Sequence, residues 1–298
     1  MSDKDWLADR FEENRGHLRA VAYRMLGSGT EADDAVQESW LRLSRSDAGE
    51  IENLGGWLTT VVARVCLDML RSRTARREDA LEENATAAPP VHSSTRDPER
   101  EALLADSVSL AMMLVLDRLE PAERLAFVMH DMFDVPFEEI SRIVGRSPEA
   151  ARQLASRARR RVHGGGEVSV AARSQQRRVV DAFLAALQAG DFEGLLAVLD
   201  PDVVVRVDAV AARAEAPKEV RGAASWARGA IAFSKAISQR AGATIPMLVD
   251  GLPGLVLAPG GQPQRVLRFT IEGGKITQAE IIGDPARLQQ LELGVFEG

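Results

Sequence analysis

The stretch FEEISRIVGRSPEAARQLASRARRRV, residues 137–162, holds the residue types whose spacing suggests chemistry most clearly. Glu138–Val144 reads as a short helix with Ile140 and Ile143 facing inward. Gly145 closes it, because glycine tolerates the left-handed conformation that ends helices. Ser147 then suits an N-cap, Pro148 the first helical position, and Glu149 the positive end of the helix dipole. A short helix, a glycine turn and a capped second helix make a helix-turn-helix whose second helix enters the DNA major groove. Arg152, Gln153 and Ser156 sit on its first turns, where arginine can fork to guanine and glutamine to adenine. Arg157, Arg159, Arg160 and Arg161 span more than half the circumference, so some must meet phosphate or another protein surface. Arg157 and Arg160 complete the candidate DNA face. The plainer alternative is a solvated basic face, and the Gly–Ser–Pro–Glu punctuation argues against it.

Local charge supports this reading even though the 298-residue chain carries a net charge of -7. Residues 137–163 hold seven arginines against three glutamates, a net +4. Residues 64–77 hold five arginines against one aspartate, again +4. DNA responds to the face it touches rather than to the total.

The elements around these segments divide the chain. Residues 5–77 read as helices, with Leu18, Val21, Ala22 and Met25 and then Ala35, Val36, Trp40 and Leu43 recurring at helical spacing. Thr30 with Glu31, Ala32 and Asp33 suggests a capping box for the second helix. A third helix covers 54–72, with Val61, Val62, Val65 and Cys66 inward. Residues 78–98 are poor in apolar residues, hold three prolines and read as a flexible linker. Helices resume over 99–163 and stop at Gly164, Gly165 and Gly166. From 174 a helix ends at Gly190, and alternation in DPDVVVRVD marks a strand. Further strand candidates lie at 246–249, 254–258, 265–272 and 275–282. Helices first and hairpins later predict an α+β domain whose curved sheet encloses a pocket, over 174–288.

EADDAVQESWLRL (31–43) followed by GGWLTTVVARVCLDMLRSR (55–73) resembles region 2 of the extracytoplasmic-function (ECF) sigma factors. DRLEPAERLAFVMHDMFDVPFEEISRIVGRSPEAARQLASRARR (117–160) resembles their region 4. The resemblance implies that residues 5–77 bind core RNA polymerase and the promoter -10 element, and that 99–163 bind the -35 element. Asp33, Asp34, Gln37, Glu38 and Trp40 then become candidate polymerase contacts, an acidic helix face with one aromatic. Leu41 and Leu43 read as core. The polar residues 44–54 would enclose an extruded base. Trp57, Arg64, Asp68 and Arg71 become candidates for the -10 strand. Asp68 is expected to pair with Arg64 or Arg71, and Trp57 to pack in the core in preference to stacking on a base.

Residues 174–288 resemble the SnoaL-like fold, a cone-shaped sheet, and sigma factors fused to it form a subset of the family. The resemblance implies modulation of the sigma factor in cis, with no separate anti-sigma protein required. Two motifs of that subset are replaced here, by LEENATAAPP and by Asp284-Pro285-Ala286-Arg287. All four histidines and the only tyrosine precede this domain. Asp208 is left as candidate base and Trp226 as candidate pocket wall, too few donors for proton-transfer catalysis. The expectation is a regulator that is not an enzyme, needs no cofactor or metal, and leaves a small-molecule ligand open. The single cysteine excludes an intramolecular disulfide, and no apolar run approaches the ~20 residues that span a bilayer. With an acidic N-terminus, this points to the cytoplasm and away from membranes. The competing readings are a DNA-binding regulator with a ligand-binding C-terminal domain, and an isomerase- or cyclase-like enzyme with a DNA-binding appendage.

Overall fold

The computed structural model describes residues 3–46, 51, 53–83, 107–165, 169–237 and 244–296. The chain divides into two compact units, Met1–Ala102 with Leu116–Arg159, and Leu103–Val115 with Arg160–Gly298.

In the first unit, helices α1 (Asp3–Leu26), α2 (Gly29–Leu43) and α3 (Leu54–Glu83) pack around Leu18, Val21, Ala22, Met25, Ala35, Val36, Leu43, Val62 and Cys66, all buried. These are the positions that the helical spacing picked out. Three details differ. The N-cap of α2 is Ser28, whose hydroxyl accepts from Glu31 N, so the capping pattern is Ser28-x-x-Glu31 and Thr30 lies inside the helix. Leu41 is 39% exposed, while Leu43 is fully buried. Helix α3 runs to Glu83, past residue 78, where the sequence places the start of the linker. The rest of that linker, 84–98, lies outside the described residues, as do residues 47–50 and 52 of the expected base-enclosing loop.

The same unit continues through α5 (Pro121–Phe127), a π-helical turn (Val128–Met132), α6 (Phe137–Val144) and most of α7 (Pro148–Val162). Helix α4 (Ser107–Leu116) groups, up to Val115, with the second unit and not with the other helices expected over 99–163. Gly145 takes φ 71° and donates its N–H to Ser141 O, the left-handed stop that ends α6. Ser147 Oγ accepts from Ala150 N at 3.2 Å, which caps α7 with Pro148 at its first position.

The second unit sets α8 (Val170–Ala189), α9 (Phe192–Val198) and α11 (Ala223–Ile237) against a seven-stranded sheet. Its strands are β1 (Leu199–Val207), β2 (Lys218–Arg221), β3 (Thr244–Val249), β4 (Leu252–Leu257), β5 (Arg265–Glu272), β6 (Lys275–Ile282) and β7 (Leu293–Gly294), in the order β2-β1-β6-β5-β4-β3-β7. Hairpins make most pairs antiparallel, but β1 lies parallel to β6. The sequence expectation of antiparallel hairpins misses that pair, because it joins segments about 75 residues apart. Short helices α10 (Ala209–Ala212) and α12 (Pro285–Gln290) follow β1 and β6. The unit extends past residue 288: Leu293, Val295 and Phe296 are buried, and Val295 N donates to Val162 O at 2.7 Å.

Candidate nucleic-acid interface

Helix α7 buries Ala151, Leu154, Ala155, Ala158 and Val162 and leaves Arg152, Gln153, Ser156, Arg157 and Arg160 exposed. The exposed set falls at i, i+1, i+4, i+5 and i+8, which is one face of a helix. All five candidate DNA residues therefore share a stripe, beginning one turn after the Ser147 cap. Glu149 beside that cap is fully exposed, and hydrogen bonds from its own backbone N–H and from Ser147 hold its carboxyl below the usual range.

The arginines on this stripe differ. Arg152 stands over the Phe137 ring at 5.4 Å and bridges to Glu138 at 3.1 Å, all within the helix-turn-helix. Its carboxylate partner is exposed and easily exchanged for a base edge. Arg157 instead donates to Glu123 at 2.8 Å, and that carboxylate is only 6% exposed. Its guanidinium neutralises a buried acid on α5, so its first role is within the fold. Arg159 pairs with Asp131 of the π-helical turn, a more exposed acid.

On α3, Arg64, Asp68 and Arg71 are exposed at i, i+4 and i+7, as the spacing implies. Asp68 makes no ion pair with Arg64 or Arg71 among the described residues, contrary to expectation. Arg64 donates to Arg142 O at 3.3 Å. Trp57 is half-buried at the first turn of α3, where Asn53 caps the helix by accepting from Gly56 N.

On α2, Asp33, Asp34 and Gln37 are exposed, whereas Glu38 and Trp40 are half-buried. Asp33 is held by Arg19 at 2.7 Å and Glu38 by Arg42 at 2.9 Å. Trp40 packs on Phe11, ring centroids 5.1 Å apart, so it supports the helix as much as it faces out. The apolar member of the exposed face is Leu41, which the sequence reading assigns to the core. Between α2 and α3 lies a groove of about 430 Å³ that brings Asp34 and Glu38 from the polymerase set together with Asp68 from the -10 set. Arg42, Arg73 and Arg76 line it as well, so the two helices meet solvent along a mixed-charge seam.

Asp208 and Trp226 are each engaged by other residues of the domain. The Asp208 carboxylate accepts from Ala211 N (2.6 Å), capping α10, and from Gly283 N (2.8 Å) and Asp284 N (2.9 Å), tying down the turn after β6. Partial burial raises its pKa, but the three backbone donors and nearby Arg287 outweigh burial and hold the carboxyl below its ordinary value. Such an aspartate is a poor base. Its depressed pKa contributes stability above the unfolded value, lost as pH falls through the lower folded one. Asp208→Ala should destabilise the unit by about 0.5–2 kcal/mol at neutral pH and flatten its stability–pH profile below about pH 4, as urea titrations across pH would measure. Trp226, 5% exposed, stacks on Phe183 at 5.2 Å and lies 6.4 Å from Phe269. It packs into the core cluster of the domain.

Cys66 is fully buried, and burial pushes its thiol up to about 12, so it is an inert packing residue as expected. No described helix is long and apolar enough to cross a membrane. Among the described residues no group of three His, Cys, Asp or Glu is placed to hold a metal ion.

Residues 10–76 match the family model for Sigma-70 region 2, and residues 109–162 the model for Sigma-70, region 4. The Mycobacterium tuberculosis protein named "Probable ECF RNA polymerase sigma factor SigI" is 34% identical, covering 99% of both chains. ECF RNA polymerase sigma factor SigJ of the same organism is 38% identical over 92% of this chain and 91% of its own; its crystal structure aligns over 94% and 97% of the two chains with a TM-score of 0.44. The chain belongs to the ECF sigma factors of RNA polymerase, with helical sigma regions followed by a helix-plus-sheet domain. The sigma factor RpoE of Bartonella quintana, solved with the anti-sigma factor NepR, is 20% identical over 52% of this chain and 92% of its own, with a TM-score of 0.35.

Proposed function

We propose that this chain brings core RNA polymerase to promoters, with α7 reading the -35 element and the exposed stripe of α3 meeting the opened -10 strand. The acidic face of α2, with Asp34, Gln37 and Glu38 beside exposed Leu41, docks on polymerase. Charge steers that encounter, and the apolar side chain supplies desolvated contact. The observation that carries the reading is the single stripe of Arg152, Gln153, Ser156, Arg157 and Arg160 behind a capped helix-turn-helix. Some of its donors position the helix on phosphate and others read bases.

The C-terminal domain acts as a regulator in cis and not as an enzyme. Asp208 is engaged as a cap, and the aromatic residues nearest the sheet are packed together. The test compares promoter-specific transcripts made by the full chain and by residues 1–173 at equal concentrations. A change of several-fold in either direction is expected, and equal output from both would remove the regulatory role.

A further inference from the structure

A free arginine side chain samples many rotamers, and ordering it on a base edge costs affinity. Arg152 is ordered before any DNA arrives. Its guanidinium carbon lies 5.4 Å from the centroid of the Phe137 ring, and its two terminal nitrogens reach Glu138 at 3.1 Å and Glu149 at 3.7 Å. The ring beneath it is held in turn. Phe137 is half-buried at the first position of α6 and stacks with the His130 ring, centroids 3.9 Å apart and 33° from parallel. His130 Nδ1 donates to Val135 O at 3.1 Å, and Val135 N donates to Met129 O at 2.9 Å, so the loop after the π-helical turn fixes the imidazole. A single series therefore runs from the π-helical turn through His130 and Phe137 to Arg152. π-Helical turns concentrate at functional sites, and this one carries the ring that braces Phe137.

The two glutamates limit what Arg152 can meet. A phosphate brought to this guanidinium would also come close to both carboxylates, and like charges repel. A guanine edge offers the neutral acceptors N7 and O6. Both glutamates are exposed, so exchanging them for such an edge costs little. The place is also right, since base contacts come from the first turns of a recognition helix. Arg157 and Arg159, further along α7, are instead paired with Glu123 and Asp131.

We infer that Phe137 is a specificity-determining residue of the -35 interface, a platform that presets Arg152 for one base, and that His130 braces it. The inference rests on the -35 role proposed for α7. Phe137 acts through Arg152 and is a positioning residue. Without the ring Arg152 is still present but must be ordered on binding, so cognate affinity falls toward that for mismatched duplexes. The loss expected from one exposed cation–π contact is about two- to fivefold.

The test is a double-mutant cycle on the full chain assembled with core polymerase. Promoter duplexes that differ by one base pair, at each -35 position in turn, are titrated at fixed salt. The readout is the ratio of mismatched to cognate dissociation constants. Phe137→Leu keeps apolar volume without a π face, whereas Phe137→Tyr keeps the ring. Phe137→Leu should lower the ratio about two- to fivefold at the position Arg152 reads and leave mismatched duplexes unchanged, and Phe137→Tyr should preserve it. In an Arg152→Ala background Phe137→Leu should have no further effect. An unchanged ratio, equal losses on cognate and mismatched duplexes, or the same loss with and without Arg152 would overturn the platform. Arg152→Ala with no effect at any position would instead fail the proposed -35 role of Arg152 itself. His130→Ala is the second arm and decides where Phe137→Leu does not fold: it removes the brace, leaves the ring, and should lower the ratio at that same position. No change there would overturn the inference.

Discussion

Trp226→Ala should destabilise the C-terminal unit by about 3–5 kcal/mol, the range for removing a large aromatic from a packed core. Its indole is 5% exposed and packs against Phe183 and Phe269, both fully buried, in a cluster that also holds Val203, Val205 and Leu255. For a unit of this size the loss corresponds to a fall of roughly 10 °C in its melting temperature, and calorimetry should show it. A loss under about 1 kcal/mol would mean that the ring borders a roomy cavity, and would return Trp226 to the pocket wall that the sequence suggests.

Arg152→Ala should weaken binding to a cognate -35 duplex by about 1–3 kcal/mol, the discrimination typical of one bidentate contact to a base. Its partners Glu138 and Glu149 are exposed, so the substitution leaves no buried charge behind. Binding to mismatched duplexes should change little, which titrations at fixed salt would show. A uniform loss across sequences would reassign Arg152 to phosphate. Arg157→Ala is the contrasting case. It strands Glu123, 6% exposed, so lost stability would accompany any loss of affinity.

The helix-turn-helix is legible in the sequence because its signals are local. Gly145, Ser147, Pro148 and Glu149 each fix a backbone state within a residue or two, and each is found doing so. The apolar spacing of α1 to α3 is legible for the same reason. What the sequence hides is decided at long range. Leu41 and Leu43 are alike in type, and only the packing of α2 on α1 and α3 exposes one and buries the other. Arg124 stands in LEPAERLAF like any helix-surface arginine, but it is buried because the end of α1 offers it a carbonyl. Asp208 at a strand end looks available as a base until its three backbone donors are seen. The parallel pairing of β1 with β6 is equally invisible, since strand alternation gives which face is buried and not which partner lies beside it.

The most direct test of the central claim is reconstituted transcription from the purified full chain and core polymerase on a promoter library. The account predicts run-off transcripts that share a common -35 and -10 pair and disappear without the chain. Polymerase that binds the chain but releases no specific transcript would contradict it.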